Sequence, residues 1–233
     1  KWMRYSKTEL LRAMSINPWF AGLPLAERKA MLAVATLLAL QPGDAVYHKG
    51  DHSGGFYGVL QGTLRVSSLG EDGREGILAM MEPGNWFGET MLLDGQQRPH
   101  DVTAMEVAVL LVISAADFKR LMHRSGFAHG IMALLCARVR NLFSLVEDTM
   151  LRSIRTRVAR RLVALSHGDT TMAPHARAKV QVSHEELAMM LGVTRQTLAK
   201  ELKYFVQNGV LGLGYGRIDI LAPDLLMQEA GLA

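Results

Sequence analysis

Cysteine and long apolar runs are nearly missing from this sequence. Its 233 residues include one cysteine, Cys136, which cannot form a disulfide within the chain. Alone it cannot hold an iron–sulfur cluster either, because a cluster takes about four thiolates. The longest apolar run, residues 30–40, is shorter than the roughly 18 to 20 residues that cross a bilayer. These absences predict a protein of the reducing cytoplasm with no membrane span.

Sequence patterns that carry catalysis are absent too. The chain contains no nucleophile elbow, no phosphate-gripping P-loop and no cluster of residues with metal-ligand spacing. Neither His48 with His52 nor His123 with His129 has the spacing of a metal or haem site. The sequence therefore argues against an enzyme, a nucleotide hydrolase included, and against a metal site.

The positive charge is confined to the last third of the chain. The net charge is +4. Residues 1–150 hold 15 basic and 15 acidic side chains, whereas residues 151–233 hold 11 basic and 7 acidic ones. A polyanion would bind this last third, although a basic face is often only a solvated one.

Hydrophobic periodicity divides the chain into parts. Residues 8–40 have the apolar spacing of short packed helices. From residue 41 to about 112, β-branched and aromatic runs alternate with Gly- and Pro-containing turns, as in an antiparallel barrel or sandwich. The pattern is helical after Ser114. The predicted fold class is α+β, with an antiparallel β-roll at residues 1–124, a long dimerisation helix at 125–151 and a small domain at 152–233.

One face of the long helix carries apolar residues at alternating spacings of three and four, the heptad pattern of a coiled coil. They are Met132, Leu135, Val139, Leu142 and Val146, hereafter the seam. The seam could pack on the β-roll of the same chain, but its narrow width and length favour a partner helix. We expect a homodimer joined along the seam, with Cys136 a buried small side chain beside it.

Residues 183–221 predict two helices joined by a tight turn, followed by a hairpin. Ser183 and Glu186 have the spacing of a capping box, which starts the first helix. Gly192 ends that helix, and Thr194 supplies an oxygen that caps the second one. A Gly-Tyr-Gly turn between two short strands then forms a wing. This order is that of a winged helix-turn-helix.

The second helix has a polar outer face rich in hydrogen-bond donors. Its inner face is predicted to consist of Leu198, Leu202, Phe205 and Val206. The predicted DNA-binding residues are Thr194, Arg195, Gln196, Thr197, Lys200 and Lys203. Arginine can read guanine and glutamine adenine in the major groove, each pair giving roughly 1 to 3 kcal/mol of discrimination. The alternative is a helix hairpin in an unrelated bundle, which would need neither this charge nor a wing.

From about residue 16 to about residue 222 the chain resembles the Crp/Fnr family of bacterial transcription regulators. The matching segments are PGDAVYHKGD, FYGVLQGTLRV, MEPGNWFGE and VSHEELAMMLGVTRQTLAKELKYFVQNGVL. The resemblance implies a cyclic-nucleotide-binding β-roll of jelly-roll type, a dimerisation helix and a winged helix-turn-helix. It implies double-stranded DNA with a palindromic operator as a partner, and RNA polymerase as another.

The resemblance also implies an effector cassette, FGETMLLDGQQRPHDVTA. In it Gly88 would allow close backbone approach, Glu89 would accept a bond from a ribose hydroxyl, and Arg98 would bind the phosphate. Phe143 and Ser144 stand where cyclic AMP-responsive members carry a Thr–Ser pair that reaches the purine across the dimer. The candidate effectors are cAMP, another nucleotide or a different small molecule.

Two departures from the family pattern keep other interpretations open. Pro99 stands where the family usually has Ser or Thr, and proline offers neither a hydroxyl nor a backbone N–H to a phosphate. Phe143 can stack on a base but cannot hydrogen-bond to it. One alternative is a Glu89–Arg98 ion pair that only stabilises the roll. Another is a regulator that binds DNA constitutively and has no effector.

Overall fold

The computed structural model describes residues 5–171 and 173–233. The helices are α1 (Lys7–Met14), α2 (Pro18–Gly22), α3 (Leu25–Val34), α4 (Glu89–Asp94), α5 (Ala115–Met122), α6 (Ser125–Leu151), α7 (Ile154–Ser166), α8 (His184–Leu191), α9 (Arg195–Gln207) and α10 (Pro223–Glu229). The strands are β1 (Thr36–Leu40), β2 (Ala45–Tyr47), β3 (Gly55–Gln61), β4 (Leu64–Leu69), β5 (Glu75–Met81), β6 (Trp86–Phe87), β7 (Asp101–Ala104), β8 (Ala108–Ser114), β9 (Lys179–Val180), β10 (Leu211–Gly214) and β11 (Arg217–Ile220). A 3₁₀ turn covers Asp169–Thr171.

The first part of the chain folds into two four-stranded antiparallel sheets. Their strand orders are β1-β8-β3-β6 and β2-β7-β4-β5. The facing sides of the sheets bury one apolar cluster that includes Val59, Leu64, Val102 and Leu110. The α+β class and the antiparallel β-roll predicted from the sequence are confirmed.

Residues 36–40 form a strand, although the sequence predicted short helices up to residue 40. This edge strand, β1, pairs antiparallel with β8, from Thr36 opposite Val112 to Leu40 opposite Ala108. A short continuous apolar run cannot be assigned to helix or strand by its periodicity. Here the backbone pairing with β8, a partner about 70 residues away in sequence, decides the outcome.

An aromatic cluster attaches the start of α6 to the outer side of the β1-β8-β3-β6 sheet. Phe56 stacks on Trp86 with ring centroids 5.2 Å apart and meets the edge of Phe118 at 5.4 Å. Phe118 in turn contacts Phe127 of α6 at 5.5 Å. These side chains are fully or nearly fully buried, so the first turns of α6 belong to the core of the roll.

Most of α6 beyond these turns is exposed within the protomer. Cys136 is exposed too, so the prediction of a buried cysteine does not hold in the single chain. By length and composition α6 could cross a membrane, and only 11% of its most apolar window is buried. The sequence shows no long uninterrupted apolar run here, because Arg138 and Arg140 lie within this segment of the helix. Since two arginines inside a bilayer are costly, the exposed apolar face fits a partner helix better than lipid.

The C-terminal domain packs α7 to α10 around the antiparallel sheet β10-β11-β9. Its core contains Val158, Leu162, Leu187, Leu198 and Phe205, all fully buried. Two buried side chains of β5 in the roll belong to the same cluster, Ile77 and Met80, and Met105 of the roll packs against it. The C-terminal domain is therefore docked on the roll of its own chain through apolar contacts.

Candidate functional site

The turn between α8 and α9 is built by the local chemistry that the sequence predicts. The Ser183 hydroxyl accepts the Glu186 N–H at 3.1 Å, and the Ser183 N–H donates to the Glu186 carboxylate at 2.7 Å. Gly192 ends α8 in the left-handed conformation, with φ of 64°. The Thr194 hydroxyl accepts the Thr197 N–H at 3.1 Å. The predicted capping box, turn and N-cap are confirmed.

The inner face of α9 is narrower than predicted. Leu198, Leu202 and Phe205 are buried, but Val206 is 40% exposed, so its predicted inward position is wrong. A residue directly after Phe205 is rotated by about 100° around the helix, which takes it off a narrow buried stripe.

The predicted DNA-binding residues lie on the outer side of α9. The exposed ones are Thr194, Arg195, Gln196, Lys200 and Lys203, and Thr197 is half-buried. Arg195 forms an ion pair with Glu185 of α8, a contact that the sequence analysis missed because it joins two helices. Both side chains are more than half exposed, so the pair orients Arg195 but adds little stability.

The wing lies beside α9 as a hairpin of β10 and β11, whose register runs from Leu211 opposite Ile220 to Gly214 opposite Arg217. Tyr215 at its tip is fully exposed. Gly216 next to it has a φ of 65°, a conformation that glycine adopts without strain. The predicted strand–turn–strand is confirmed.

In the effector cassette, Arg98 points inward and is 1% exposed. Its guanidinium donates to three backbone carbonyls: Gly88 at 2.6 Å, Gly55 at 3.1 Å and Ser53 at 3.4 Å. Gly88 has a φ of 95°, and a Cβ there would come within 2.8 Å of the Gly55 oxygen. Glycine is thus required at position 88 by a tight cradle around the arginine.

Tyr47 covers the guanidinium of Arg98 from one side. The Cζ atom of the Arg98 guanidinium lies 4.3 Å from the centre of the Tyr47 ring, which is a cation–π distance. Burial raises the pKa of Tyr47 to about 12, although the nearby Arg98 charge acts in the opposite direction. The phenol is therefore held in its neutral form by its apolar surroundings.

Glu89 pairs with Arg138 of α6 and not with Arg98, so the predicted alternative of a Glu89–Arg98 ion pair is wrong. The Glu89 carboxylate is fully buried, and its Oε1 accepts from Arg138 Nη1. Arg138 Nη2 donates to the Trp86 carbonyl at 2.6 Å. Glu89 Oε2 is buried and has no hydrogen-bond partner among the described residues. The sequence did not predict this pair, because Arg138 is 49 residues away from Glu89.

The structure does not bring Phe143 and Ser144 to the cassette of their own protomer. Phe143 is 71% exposed, and Ser144 accepts a long hydrogen bond, 3.4 Å, from Arg160 of α7. Their proposed contact with an effector thus depends on a second protomer.

The seam residues form an apolar face that the other described residues leave largely uncovered. Met132, Val139, Leu142 and Val146 are about half exposed. Leu135 is half-buried because it also packs against the core of the roll. Exposed apolar stripes of this length are typical of interaction surfaces.

The sequence and the structure were compared with those of known proteins. Residues 37–125 match the cyclic nucleotide-binding domain family, and residues 156–229 match the Crp-like helix-turn-helix domain family. The cyclic AMP receptor protein of Thermus thermophilus is 31% identical over 94% of this chain and all of its own length. A CRP-like cAMP-activated global transcriptional regulator of Mycobacterium tuberculosis is 27% identical, over 85% of this chain and 92% of its own.

A solved structure shares the architecture. A CRP-family transcriptional regulator from Thermus thermophilus superimposes with a TM-score of 0.67 at 28% identity, covering 83% of this chain and 96% of that one. Two matched domains and a relative aligned along nearly the whole sequence lead to one assignment. The chain belongs to the Crp/Fnr family of DNA-binding transcription regulators and is not an enzyme.

Proposed function

We propose that the protein works as a homodimer that reads a palindromic operator with α9 of each protomer. The observation that carries this proposal is the exposed, donor-rich outer face of α9 beside the wing, on the domain that holds the whole net positive charge. A dimer would present two such helices to successive major grooves about 34 Å apart. RNA polymerase would be the partner at a promoter, and the cytoplasm the place of action.

Arg195→Ala tests base reading. If Arg195 bonds a guanine, its loss weakens binding to the selected operator by roughly 5- to 150-fold, the equivalent of 1 to 3 kcal/mol. The affinity for random duplex DNA falls less, because only one positive charge that attracts the phosphate backbone is lost. Arg120→Ala, an exposed arginine of the roll, is the matched control and should leave both affinities unchanged. Equal losses on operator and random DNA would show that Arg195 reads no base.

We further propose that the cassette takes an effector with a hydroxyl group, such as a nucleotide. Glu89 Oε2 supports this, because a buried carboxylate oxygen without a partner among the described residues is a ready acceptor for a ligand hydroxyl. A relative named for cyclic AMP makes cAMP the first ligand to try. The bound ligand would act through Arg138, which joins Glu89 to the dimerisation helix.

The constitutive alternative has its own support. Three of the five N–H donors of Arg98 bond to carbonyls, and Pro99 offers no N–H, so few donors of the cassette are left for a phosphate. Titration calorimetry with cAMP and cGMP, and operator binding with and without each, separates the two. Binding that Glu89→Gln abolishes supports the effector. Unchanged operator affinity in the presence of either nucleotide, with no heat of binding, supports a constitutive regulator.

A further inference from the structure

A cavity of about 500 Å³ lies where α6, α7, α8 and β5 meet. Its walls therefore come from the dimerisation helix, the DNA-binding domain and the roll. None of the seam residues lines it, and neither do Gly88, Glu89 or Arg98, whereas Ser144 of α6 does. The cavity is thus separate from these three cassette residues, and its α6 wall is formed by residues outside the seam.

The cavity has apolar walls and a surplus of positive charge. Leu78, Leu145, Met190 and Leu191 contribute apolar surface. The lining also includes three arginines and two aspartates, so its arginines outnumber its carboxylates by one. A volume of this size suits a metabolite-sized ligand, because small-molecule sites usually span about 300 to 1,000 Å³.

The surplus cation is Arg157. Arg160 pairs with Asp148 at 2.7 Å, and Arg161 pairs with Asp169 at 3.1 Å. Arg157 instead donates one hydrogen bond, from Nη2 to a backbone carbonyl, that of Leu191, at 2.7 Å. A guanidinium has five N–H donors, so Arg157 keeps donors for an anion without giving up an acid partner.

We propose that this cavity binds a small organic anion with an apolar or aromatic body. The apolar walls would hold the body, and Arg157 would bind the carboxylate, sulfonate or phosphate head. The site is formed within one protomer, by residues other than Gly88, Glu89 and Arg98.

Two dyes that differ by one group test the proposal on the full-length protein. 1-Anilinonaphthalene-8-sulfonate carries a sulfonate, and N-phenyl-1-naphthylamine is its uncharged counterpart. Fluorescence titration should give saturable, one-per-protomer binding of the anionic dye, at least about tenfold tighter than that of the neutral one. Equal affinities in the wild-type protein would overturn the assignment of an anion site.

Variants locate the dye. Ala164→Phe and Leu78→Trp add bulk to two walls of the cavity and should weaken anionic-dye binding at least about tenfold. Leu78 is partly exposed, so its replacement keeps the fold if Ala164→Phe does not. Leu69→Trp, on the neighbouring strand and outside the cavity, is the matched control. Unchanged binding by Leu78→Trp would place the dye elsewhere and overturn the proposal.

Arg157→Leu tests the role of the surplus cation. It should remove the preference for the anionic dye and leave the affinity for the neutral dye within about twofold of the wild-type value. Arg74 is an exposed arginine of the roll, and Arg74→Leu is the control for the loss of a positive charge. A variant that still prefers the anionic dye as strongly as the wild type would show that Arg157 does not bind the head group.

Discussion

The carboxylate of Glu89 on α4 is joined to the guanidinium of Arg138 on α6. The carboxylate is fully buried, whereas the Arg138 side chain is 31% exposed. The pair connects the cassette of the roll to the helix that carries the seam. A change at either end therefore has a direct physical route to the other.

Replacing Arg138 with Met should lower the free energy of unfolding by about 3 to 5 kcal/mol, because it leaves a buried carboxylate without its counter-charge. Urea unfolding followed by circular dichroism measures the change. The double variant Glu89→Gln with Arg138→Met should recover part of the loss, since no buried charge then remains. Arg140→Met, on the exposed side of α6, is the control. If both single arginine variants are equally stable, the ion pair contributes nothing.

A second buried pair fixes the DNA-binding domain to the roll. Asp169 accepts two hydrogen bonds from Arg161, each 3.1 Å long, and its Oδ2 also accepts the Met80 N–H of β5 at 2.8 Å. Asp169 adopts a left-handed conformation, with φ of 52°, which asparagine tolerates as well. Asp169→Asn therefore removes the charge and leaves the backbone unstrained.

We expect Asp169→Asn to weaken the docking of the two domains by about 2 to 4 kcal/mol, because the buried Arg161 loses its counter-charge. Hydrogen exchange at the Met80 amide should accelerate, while exchange within the β3–β8 pairing should stay slow. Asp224→Asn, at an exposed site on α10, serves as the comparison. Unaltered exchange at Met80 would mean that the apolar contacts of Ile77 and Met80 hold the domains together by themselves.

The seam predicts a specific change in oligomeric state. Leu142→Asp combined with Val146→Asp should produce monomers in sedimentation velocity runs, because two charges would face the partner helix in an apolar interface. The control variant, Leu69→Asp with Val107→Asp, carries the same two charges at exposed apolar positions of the roll. This variant should stay dimeric. Dimers that survive the seam variant would show that the protomers meet through another surface.

The partly buried phenol of Tyr47 predicts a loss of stability at high pH. Its folded-state pKa of about 12 lies above the ordinary value of 10.0, so the unfolded chain loses this proton first. The contribution is fully present below pH 10 and is lost as the pH rises through about 12. Tyr47→Phe keeps the ring against Arg98 and should flatten the fall of the urea midpoint between about pH 10 and 12. Tyr215→Phe, at the exposed wing tip, should reproduce the wild-type curve.

Features set by neighbours in sequence were predictable from the sequence. The Ser183–Glu186 box and the Thr194 cap join residues three apart, so residue type and spacing suffice to predict them. The inner face of α9 follows from the helical period, and the one error, Val206, lies at the edge of that face. The heptad pattern of the seam is likewise a local property of one helix, although its partner remains a proposal.

Only the tertiary structure decided which groups far apart in sequence form an ion pair or a hydrogen bond. Arg138 meets Glu89 across 49 residues, and Asp169 meets the Met80 amide across 89. Arg98 turns toward backbone carbonyls, whose positions depend on how two sheets close around the cassette. Residue types reveal that a side chain is charged, but its partner depends on which segments the chain brings together, and desolvation then fixes the strength of the contact.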